Sequence, residues 1–368
     1  MPERQAIPIE PEEFTAPLVQ RLINTKHPDV VVERVRVVDA ALASDGEERV
    51  STARRIAVEA DYGAGGERLP RRLMIKVARP GLGDIPLYDN EVNVYAKVGD
   101  ELPVNTPRCL GARRDAATAS FGLVLEDLRP LGVSFASVAT PIGPEGMKKL
   151  LDQLAALHAT YWKSPRFDSD LAWVLPHISG PIHELFSHQA GVPMLINWEV
   201  QSRQFKRELV ESVDETAESL LRNVARAQAH QATLPLTLVH GDAHAGNTYL
   251  LPDGDRGLVD WQLTARGYCM HDVTYILLTG LSVDERRRHE RSLIDYYRRR
   301  LIQEGVSDVP SLEELIFEHR LAAAWCLCIG WLTTPIENYG WEINVANHIR
   351  LATAYRDLDS HGAFSELS

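Results

Sequence analysis

Leu238-Val239-His240-Gly241-Asp242-Ala243-His244-Ala245-Gly246-Asn247 is the stretch that decides the fold prediction for this chain, and Gly257-Leu258-Val259-Asp260-Trp261-Gln262 follows it closely. An apolar run leads into a His-Gly-Asp turn, an Asn lies five residues after the Asp, and a second apolar run ends in another Asp. A tight glycine turn after a strand holds the next side chain in place. We therefore expect Asp242 and Asp260 to be held rigidly at the ends of two short strands.

The spacing of these side chains is typical of a kinase catalytic loop and its metal-binding aspartate. An aspartate at this position can accept a hydrogen bond from a hydroxyl within ~3 Å and take its proton during transfer. Asn247 and Asp260 offer the hard oxygen ligands that Mg²⁺ prefers. Alone, Asp242 would be a helix N-cap and Asn247 a turn residue. Together they indicate a catalytic base, Asp242, and two magnesium ligands.

Two histidines accompany Asp242 in the same stretch. We expect His240 to brace the loop through backbone hydrogen bonds rather than to transfer a proton. His244 either supports the loop and lines the substrate pocket or is simply a structural histidine. Both are therefore candidates for supporting the catalytic loop.

Lys76 lies in the apolar, strand-like run Leu73–Ala78, where an unpaired ammonium group would be costly to bury. Glu91 follows on a helix predicted over Asn90–Val98. The two residues match the strand lysine and helix glutamate of kinase-like small lobes, where the lysine contacts nucleotide phosphates and the glutamate holds it. The alternative is an edge-strand lysine that points to solvent, with Glu91 on a helix surface.

The remaining nucleotide contacts are predicted in two segments. The loop Ala41–Thr52 contains one glycine, Gly46, and its amides together with the Ser44 hydroxyl can contact phosphate. An ordinary acidic turn is the alternative for this loop. Phe121–Leu128 is predicted to be a buried strand that runs into a polar junction. In a bilobal kinase this junction offers backbone hydrogen bonds to adenine, and Glu126 and Leu128 are the positions expected to make them. Asp127, in the same junction, can instead cap the next segment.

The order of predicted elements gives an α+β fold. Strand-like runs and one inserted helix occupy the first part of the chain, and helical periodicity dominates after about Leu128. We predict a small antiparallel-sheet lobe over residues 1–127 and a larger, mostly helical lobe over 128–368. The catalytic stretch interrupts the helices of the second lobe with two short strands.

Composition excludes several classes of function. The net charge of −12 argues against a nucleic-acid partner, which needs a basic surface. No apolar run approaches the ~20 residues of a membrane span, and the first residues lack a signal-peptide pattern. We therefore expect a cytoplasmic protein without membrane insertion. The four cysteines fit neither a zinc site nor a disulfide framework.

These residues together resemble the aminoglycoside phosphotransferase and choline kinase superfamily. Asp260-Trp261-Gln262 and Leu125-Glu126-Asp127-Leu128 look most like its ecdysteroid-kinase-like branch and the bacterial relatives of that branch. The resemblance covers about residues 30 to 280 and implies a protein-kinase-like bilobal fold. It also implies that ATP and Mg²⁺ are used to phosphorylate a hydroxyl of a small molecule, with GTP still possible as the donor.

The resemblance carries over to individual positions of this chain. It implies that Asp242 is the catalytic base, that Asn247 and Asp260 are metal ligands, and that Lys76 holds phosphate with Glu91 in support. Asp272 matches a structural aspartate of the family that braces the catalytic loop.

The acceptor is predicted to bind in the C-terminal half, facing Asp242. Pro335–Asn344 mixes acidic and aromatic residues, which would suit a cationic amino sugar or amino alcohol. The alternative is a surface loop in which Trp341 packs on a helix.

Two other functions compete with transfer to a small molecule. The glycine-poor loop around Gly46 is compatible with a pseudokinase or regulatory module that binds nucleotide without transfer. A protein kinase is disfavoured because no Ala-Pro-Glu segment follows Asp260.

Overall fold

The computed structural model describes residues 6–39, 52–79, 82, 85–137 and 139–367. These residues form two compact units, each described separately below. The smaller unit runs to Leu102 and resumes over Thr106–Ser134, and the larger contains Pro103–Asn105 and the chain from Phe135 onward. The division at Ser134 lies a few residues after the boundary predicted at residue 127.

The smaller unit is built on one five-stranded antiparallel sheet with the strand order β1-β2-β3-β5-β4. Two α-helices accompany the sheet, and the second continues as a π-helix over Val94–Val98. The elements are β1 (Val32–Asp39), β2 (Ala53–Tyr62), β3 (Arg72–Ala78), β4 (Cys109–Asp115), β5 (Ser120–Glu126), α1 (Ala16–Ile23) and α2 (Pro86–Asn93). Because β3 lies between β2 and β5, Lys76 belongs to the central strand and not to an edge.

The core of the smaller unit forms where α1 packs on the sheet. Leu18, Val19, Leu22 and Ile23 of α1 are buried in one cluster with apolar side chains of the strands. Gly111 on β4 permits the close approach, because a Cβ at this position would collide with the Leu22 carbonyl. The packing therefore depends on an apolar helix face and on one residue without a side chain.

The larger unit is mostly helical, with short strands around the catalytic stretch. β7 pairs with β10, and β6, β8 and β9 form a three-stranded sheet, so the predicted pair of strands is extended by further short ones. The strands are β6 (Ser134–Phe135), β7 (Thr237–Val239), β8 (Thr248–Leu250), β9 (Arg256–Leu258) and β10 (Ala265–Gly267). The helices are α3 (Pro144–Thr160), α4 (Gly180–Ser187), α5 (Val192–Ser202), α6 (Gln204–Ser212), α7 (Ala217–Gln231), α8 (Met270–Gly280), α9 (Val283–Gln303), α10 (Leu312–Leu327), α11 (Ile336–Asp357) and α12 (Ser360–Glu366).

Helices α9 and α10 of the larger unit begin at capping boxes. The hydroxyl of Ser282 accepts from the Glu285 N–H, and the Glu285 side chain returns to the Ser282 backbone. Ser311 and Glu314 repeat this arrangement at α10. Such reciprocal caps satisfy N–H groups that have no partner inside the helix.

The helical segment Leu312–Leu332 corrects one expectation from the sequence. By length and composition it is apolar enough to cross a membrane, although no such run was expected. However, 78% of its most apolar window is buried inside the protein, as in the core helix of a soluble fold. The absence of membrane insertion therefore stays a prediction. Cys326 and Cys328 are free and buried in this segment.

Candidate active site

The catalytic loop begins where β7 ends, at a turn that requires glycine. Gly241 has φ +83°, and a Cβ at this position would collide with the Leu263 carbonyl. The chain then forms a short 3₁₀ helix over Ala245–Asn247 and enters β8. Asp242 is thus held between two strands, with only 9% of its surface exposed.

Asp272, at the start of α8, fixes the backbone of this turn. Its Oδ2 accepts the His240 N–H at 2.6 Å and its Oδ1 accepts the Gly241 N–H at 2.9 Å. His158 Nε2 donates to Oδ2 at 3.2 Å. Burial opposes ionisation, but the His158 hydrogen bond outweighs it, and the pKa of Asp272 is lowered to about 2. The arrangement agrees with the bracing role implied for Asp272.

One face of α8 makes further contacts with the loop. His271 Nε2 donates to the Gly241 carbonyl at 3.0 Å, and the Thr279 hydroxyl accepts the Ala245 N–H at 3.0 Å. The Tyr275 ring lies 5.6 Å from the ring of His244. These residues are spaced four apart, as expected for one helix face. Sequence analysis missed His158, His271 and Thr279. For His271 and Thr279 on α8, the available signal was a polar residue at every fourth position of an otherwise apolar stretch.

His240 is a buried brace in the structure. Its Nδ1 accepts the Asp242 N–H at 3.2 Å, and its Nε2 donates to the Val259 carbonyl at 3.0 Å. Because a carbonyl can only accept, the ring is the neutral tautomer with its proton on Nε2. Burial lowers the pKa of His240, which keeps the ring uncharged. A ring held in this way ties the Asp242 turn to the strand that precedes Asp260.

Asn247 contacts Asp242 directly. Its Nδ2 donates to the main-chain oxygen of Asp242 at 2.9 Å and to Oδ2 at 3.0 Å. Since both bonds use the amide nitrogen, the amide oxygen is directed away from Asp242, where it can serve as a cation ligand. His244 is held by the Gly246 N–H, which donates to its Nδ1 at 3.0 Å, and its Nε2 lies 3.9 Å from Asp242 Oδ2. Both residues therefore border the predicted catalytic carboxylate.

Asp260 follows β9 in an unusual backbone conformation. Its φ is +70°, a region that non-glycine residues occupy at functional sites when the surrounding structure enforces it. The Val259 N–H donates to the Asn247 carbonyl at 2.9 Å, which places Asp260 beside Asn247. In the described part of the chain no group of three or more His, Cys, Asp or Glu is arranged for a metal. One amide and one carboxylate nevertheless suit Mg²⁺, which keeps several waters and also binds nucleotide oxygens.

Lys76 and Glu91 form a buried ion pair in the smaller unit. Lys76 Nζ donates to both carboxylate oxygens of Glu91, at 2.6 and 2.8 Å. The residues are 5% and 1% exposed, so the alternative of a solvent-facing lysine with a surface glutamate is wrong. The bidentate contact holds the ammonium group at a fixed point on β3. Whether it contacts nucleotide remains a prediction.

The junction after β5 contains the two residues predicted to contact adenine. The Glu126 N–H donates to the Arg108 carbonyl at 2.9 Å, and the Leu128 carbonyl accepts the Leu131 N–H at 3.0 Å. A backbone contact with adenine would therefore have to use the Glu126 carbonyl or the Leu128 N–H. Asp127 accepts three hydrogen bonds from Arg129, which fits its alternative role as a cap. Ser44 and Gly46 lie outside the residues that the structure describes.

The segment proposed for a cationic acceptor is helical. Residues 336–344 belong to α11, with a break at Gly340 (φ +73°), so the alternative of a surface loop is wrong. Trp341 is 62% exposed, and its ring lies 5.6 Å from that of Phe205 on α6, which agrees with the part of the alternative in which Trp341 packs on a helix. Glu337 already forms an ion pair with Arg203. One of the two acids in this segment, Glu337, is thus paired within the protein.

Comparison with known proteins agrees with this geometry. Residues 45–306 match the model of the ecdysteroid kinase-like family. No curated protein matches the sequence. Among solved structures, a Plasmodium vivax ethanolamine kinase is similar at a TM-score of 0.52 and 12% identity, covering 89% of this chain and 84% of that one.

Two further solved structures have the same fold. A Cryptosporidium parvum choline kinase has a TM-score of 0.50 and 11% identity, covering 91% of each chain. A spectinomycin phosphotransferase in complex with ADP and spectinomycin has a TM-score of 0.50 and 11% identity, covering 93% of this chain and 99% of that one. At these identities the likeness shows a kinase-like fold and nothing about the substrate.

Proposed function

The chain belongs to the ecdysteroid kinase-like family, and we propose that it is an ATP- and Mg²⁺-dependent phosphotransferase that phosphorylates a hydroxyl of a small molecule. One observation carries the proposal: Asp242 and Asn247 are in contact on a loop that is fixed by Asp272 and His240. Asp260 follows β9, and its neighbour Val259 is hydrogen-bonded to Asn247 and His240 of this loop. A nucleotide-binding module without transfer activity would not need a catalytic carboxylate held this rigidly.

Asp242 has the surroundings of a base that orients a hydroxyl. Asn247 restrains Oδ2, so the carboxylate can accept the proton of an acceptor hydroxyl positioned against it. In the transfer, the acceptor oxygen forms a bond to the γ-phosphorus while the bond from that phosphorus to the β–γ bridging oxygen breaks. ADP leaves with the electron pair, and the hydroxyl proton passes to Asp242.

The other residues of the site would bind the metal ion and the charged phosphate groups. Asn247 and Asp260 would hold Mg²⁺, which supplies neutralisation of the phosphate oxygens when it is bound. Lys76 would contact the nucleotide phosphates, with Glu91 keeping the ammonium group in position. His240 is neutral and buried, so its part is to hold the loop in shape.

The test is acceptor-dependent ADP and GDP release with Mg²⁺ over a panel of alcohols, aminoglycosides, macrolides and sugars. We expect Asp242→Asn to lower kcat by ~10²–10⁴-fold while nucleotide affinity is kept. Asp253→Asn is the matched control, because Asp253 is an exposed turn residue whose carboxylate accepts the Asp255 N–H. An Asp242→Asn enzyme of normal activity would contradict the role of the base. Nucleotide binding without turnover of any acceptor would favour the alternative of a module that binds nucleotide but does not transfer phosphate.

A further inference from the structure

Helix α11 carries a stripe of large apolar residues on its exposed face. After the break at Gly340 the helix is regular to Asp357, and Trp341, Val345 and Ile349 are spaced four residues apart, which places them on one side of it. They are 62%, 50% and 51% exposed. Single exposed apolar residues are ordinary on a protein surface, but a contiguous row of large ones marks a surface that binds a partner.

The opposite face of α11 is already used inside the larger unit. Arg350 donates to the Thr279 carbonyl at the end of α8, and Asn347 Nδ2 donates to the Gly330 carbonyl at 3.3 Å. Further residues of this face are buried: Asn344, Leu351, Ala354 and Tyr355. The orientation of the helix is therefore fixed by its own contacts, and packing within the described part of the chain does not account for the exposed stripe.

Two charged residues flank the stripe. Glu342 lies seven residues before Ile349 and Arg356 lies seven residues after it, so each is within about 20° of the direction of Ile349 around the helix. Both are exposed, and neither forms an ion pair within the part of the chain that the structure describes. The exposed face of α11 thus has an acid near its start, apolar residues in the middle and a base at its end.

This order is self-complementary for two antiparallel copies of the helix. A two-fold axis beside Ile349 would bring the two Ile349 side chains together and put Glu342 opposite the partner's Arg356, twice by symmetry. Val345 would lie opposite the partner's Thr353; the Thr353 hydroxyl donates to the Ile349 carbonyl of its own chain and needs no partner across the interface. A parallel arrangement would instead place like charges together, which is unfavourable.

A lipid surface fits this face less well. Helices that lie on membranes usually combine an apolar side with a polar side rich in Lys and Arg, which is attracted to anionic headgroups. The stripe of α11 is flanked by one acid and one base, and the whole chain has a net charge of −12. The charges therefore favour a partner that carries the same arrangement in the opposite direction.

We propose that the exposed face of α11, formed by Trp341, Glu342, Val345, Ile349 and Arg356, is the interface of a homodimer in which two copies of α11 pack antiparallel about a two-fold axis at Ile349. Each end of the interface holds one ion pair between Glu342 and Arg356, and the apolar residues between the two ion pairs are buried. The proposal goes beyond the phosphotransfer reaction and does not depend on it.

The test is the molar mass of the full-length protein, measured by sedimentation equilibrium from low to high micromolar concentration. We expect wild type to form a dimer. Ile349→Asp puts two carboxylates at the axis and should weaken dimerisation by about 30-fold or more, as for a residue at the centre of an interface. Ile302→Asp is the matched control, because Ile302 is 48% exposed on α9, and it should leave the dimer unchanged.

Exchange of charges tests the antiparallel arrangement. Glu342→Arg and Arg356→Glu each put like charges together in both ion pairs and should weaken the homodimer by roughly 3- to 30-fold. An equal mixture of the two single variants should dimerise like wild type, because each variant supplies the charge that the other has lost. The double variant should recover in the same way. Lys149→Glu reverses an exposed charge on α3 and should change nothing.

Three results would overturn the proposal: a monomer at every concentration, a dimer that Ile349→Asp does not weaken, or single charge variants that show no loss alone or no recovery in the mixture. Co-sedimentation with phosphatidylcholine vesicles covers the lipid alternative. A monomeric wild type that binds vesicles, and an Ile349→Asp variant that does not, would assign the face to a membrane. Since all the changed side chains are exposed, circular dichroism should show every variant to be folded.

Discussion

Asp272 is the residue on which the shape of the catalytic turn depends most. Both of its oxygens accept backbone N–H groups of the turn, and its pKa is lowered to about 2 from 3.8. A carboxylate whose pKa is lower in the folded state stabilises the fold above the unfolded pKa, and this stability is lost as pH falls toward the folded pKa. The two values correspond to about 2 kcal/mol.

We therefore expect Asp272→Asn to lower the free energy of unfolding at pH 7 by about 2 kcal/mol or more. The difference from wild type should shrink as pH falls from about 4 to about 2, because wild-type Asp272 is protonated over that interval. Urea unfolding across pH measures both effects. Asp253→Asn, the exposed control, should lower the free energy of unfolding only slightly at pH 7. A difference for Asp272→Asn that stays the same at every pH would refute the linkage.

The ion pair between Lys76 and Glu91 allows a second prediction at this scale. Removing either partner leaves the other charge buried, which costs ~3–5 kcal/mol, whereas replacing both with apolar residues can be nearly neutral. Lys76→Met and Glu91→Gln should each destabilise the protein strongly in thermal or urea unfolding. The double variant Lys76→Met with Glu91→Leu should recover much of that loss.

An exposed ion pair provides the control for this cycle. Glu145 and Lys148 are in contact at 2.7 Å on the surface of α3. Glu145→Gln should change stability by less than ~1 kcal/mol. Single variants of Lys76 and Glu91 with equally small effects would mean that the buried pair contributes little to folding.

Sequence reasoning named the residues that are proposed to carry the chemistry, but not the residues that hold them in place. Asp242, Asn247 and Asp260 share a recognisable spacing along the chain, and the lysine–glutamate pair lies within one strand and the next helix. His158 contacts Asp272 from 114 residues away. Nothing in a single sequence specifies which distant side chain His158 contacts.

At the scale of elements, the turn between β7 and the catalytic loop is the most constrained. Gly241→Ala would place a methyl group against the Leu263 carbonyl at φ +83°, and backbone atoms cannot move aside cheaply. We expect a large loss of stability, roughly 3 kcal/mol or more, together with loss of turnover.

Gly254→Ala tests the effect of backbone strain without a steric collision. Gly254 has φ +88°, but a Cβ at this position meets nothing within 4 Å. Gly254→Ala should lower the free energy of unfolding only by the cost of the left-handed backbone conformation, ~1–2 kcal/mol. It should leave turnover unchanged. Equal stabilities of the Gly241→Ala and Gly254→Ala variants would contradict the close packing of the Gly241 turn against Leu263.

Elements with strong local patterns were predicted well. The strand predicted around Lys76 is β3. The helical periodicity predicted after about Leu128 corresponds to α3 to α12. Strands of three residues such as β10 were missed because their pairing with β7 is a long-range contact that leaves no periodic signal.

At the scale of the whole molecule, ligand binding links nucleotide recognition to stability. A ligand that binds only the folded state adds about 2.7 kcal/mol at 100 times its Kd. We expect ATP with Mg²⁺ to raise the unfolding midpoint and chelation of Mg²⁺ to remove most of the increase. The measurement is thermal unfolding with ATP or GTP, with and without Mg²⁺.

Single-residue variants test which side chains produce the rise in the unfolding midpoint with ATP and Mg²⁺. Asn247→Ala and Asp260→Asn should abolish the dependence on Mg²⁺, while Lys76→Met should weaken stabilisation by nucleotide with or without the metal. Asp242→Asn should keep the full increase, because a base acts on the acceptor and not on the nucleotide. Stabilisation that persists unchanged in Asn247→Ala and Asp260→Asn would rule out the assigned metal ligands. Since a pseudokinase would show the same increase, only turnover that disappears in Asp242→Asn separates an enzyme from a module that binds nucleotide.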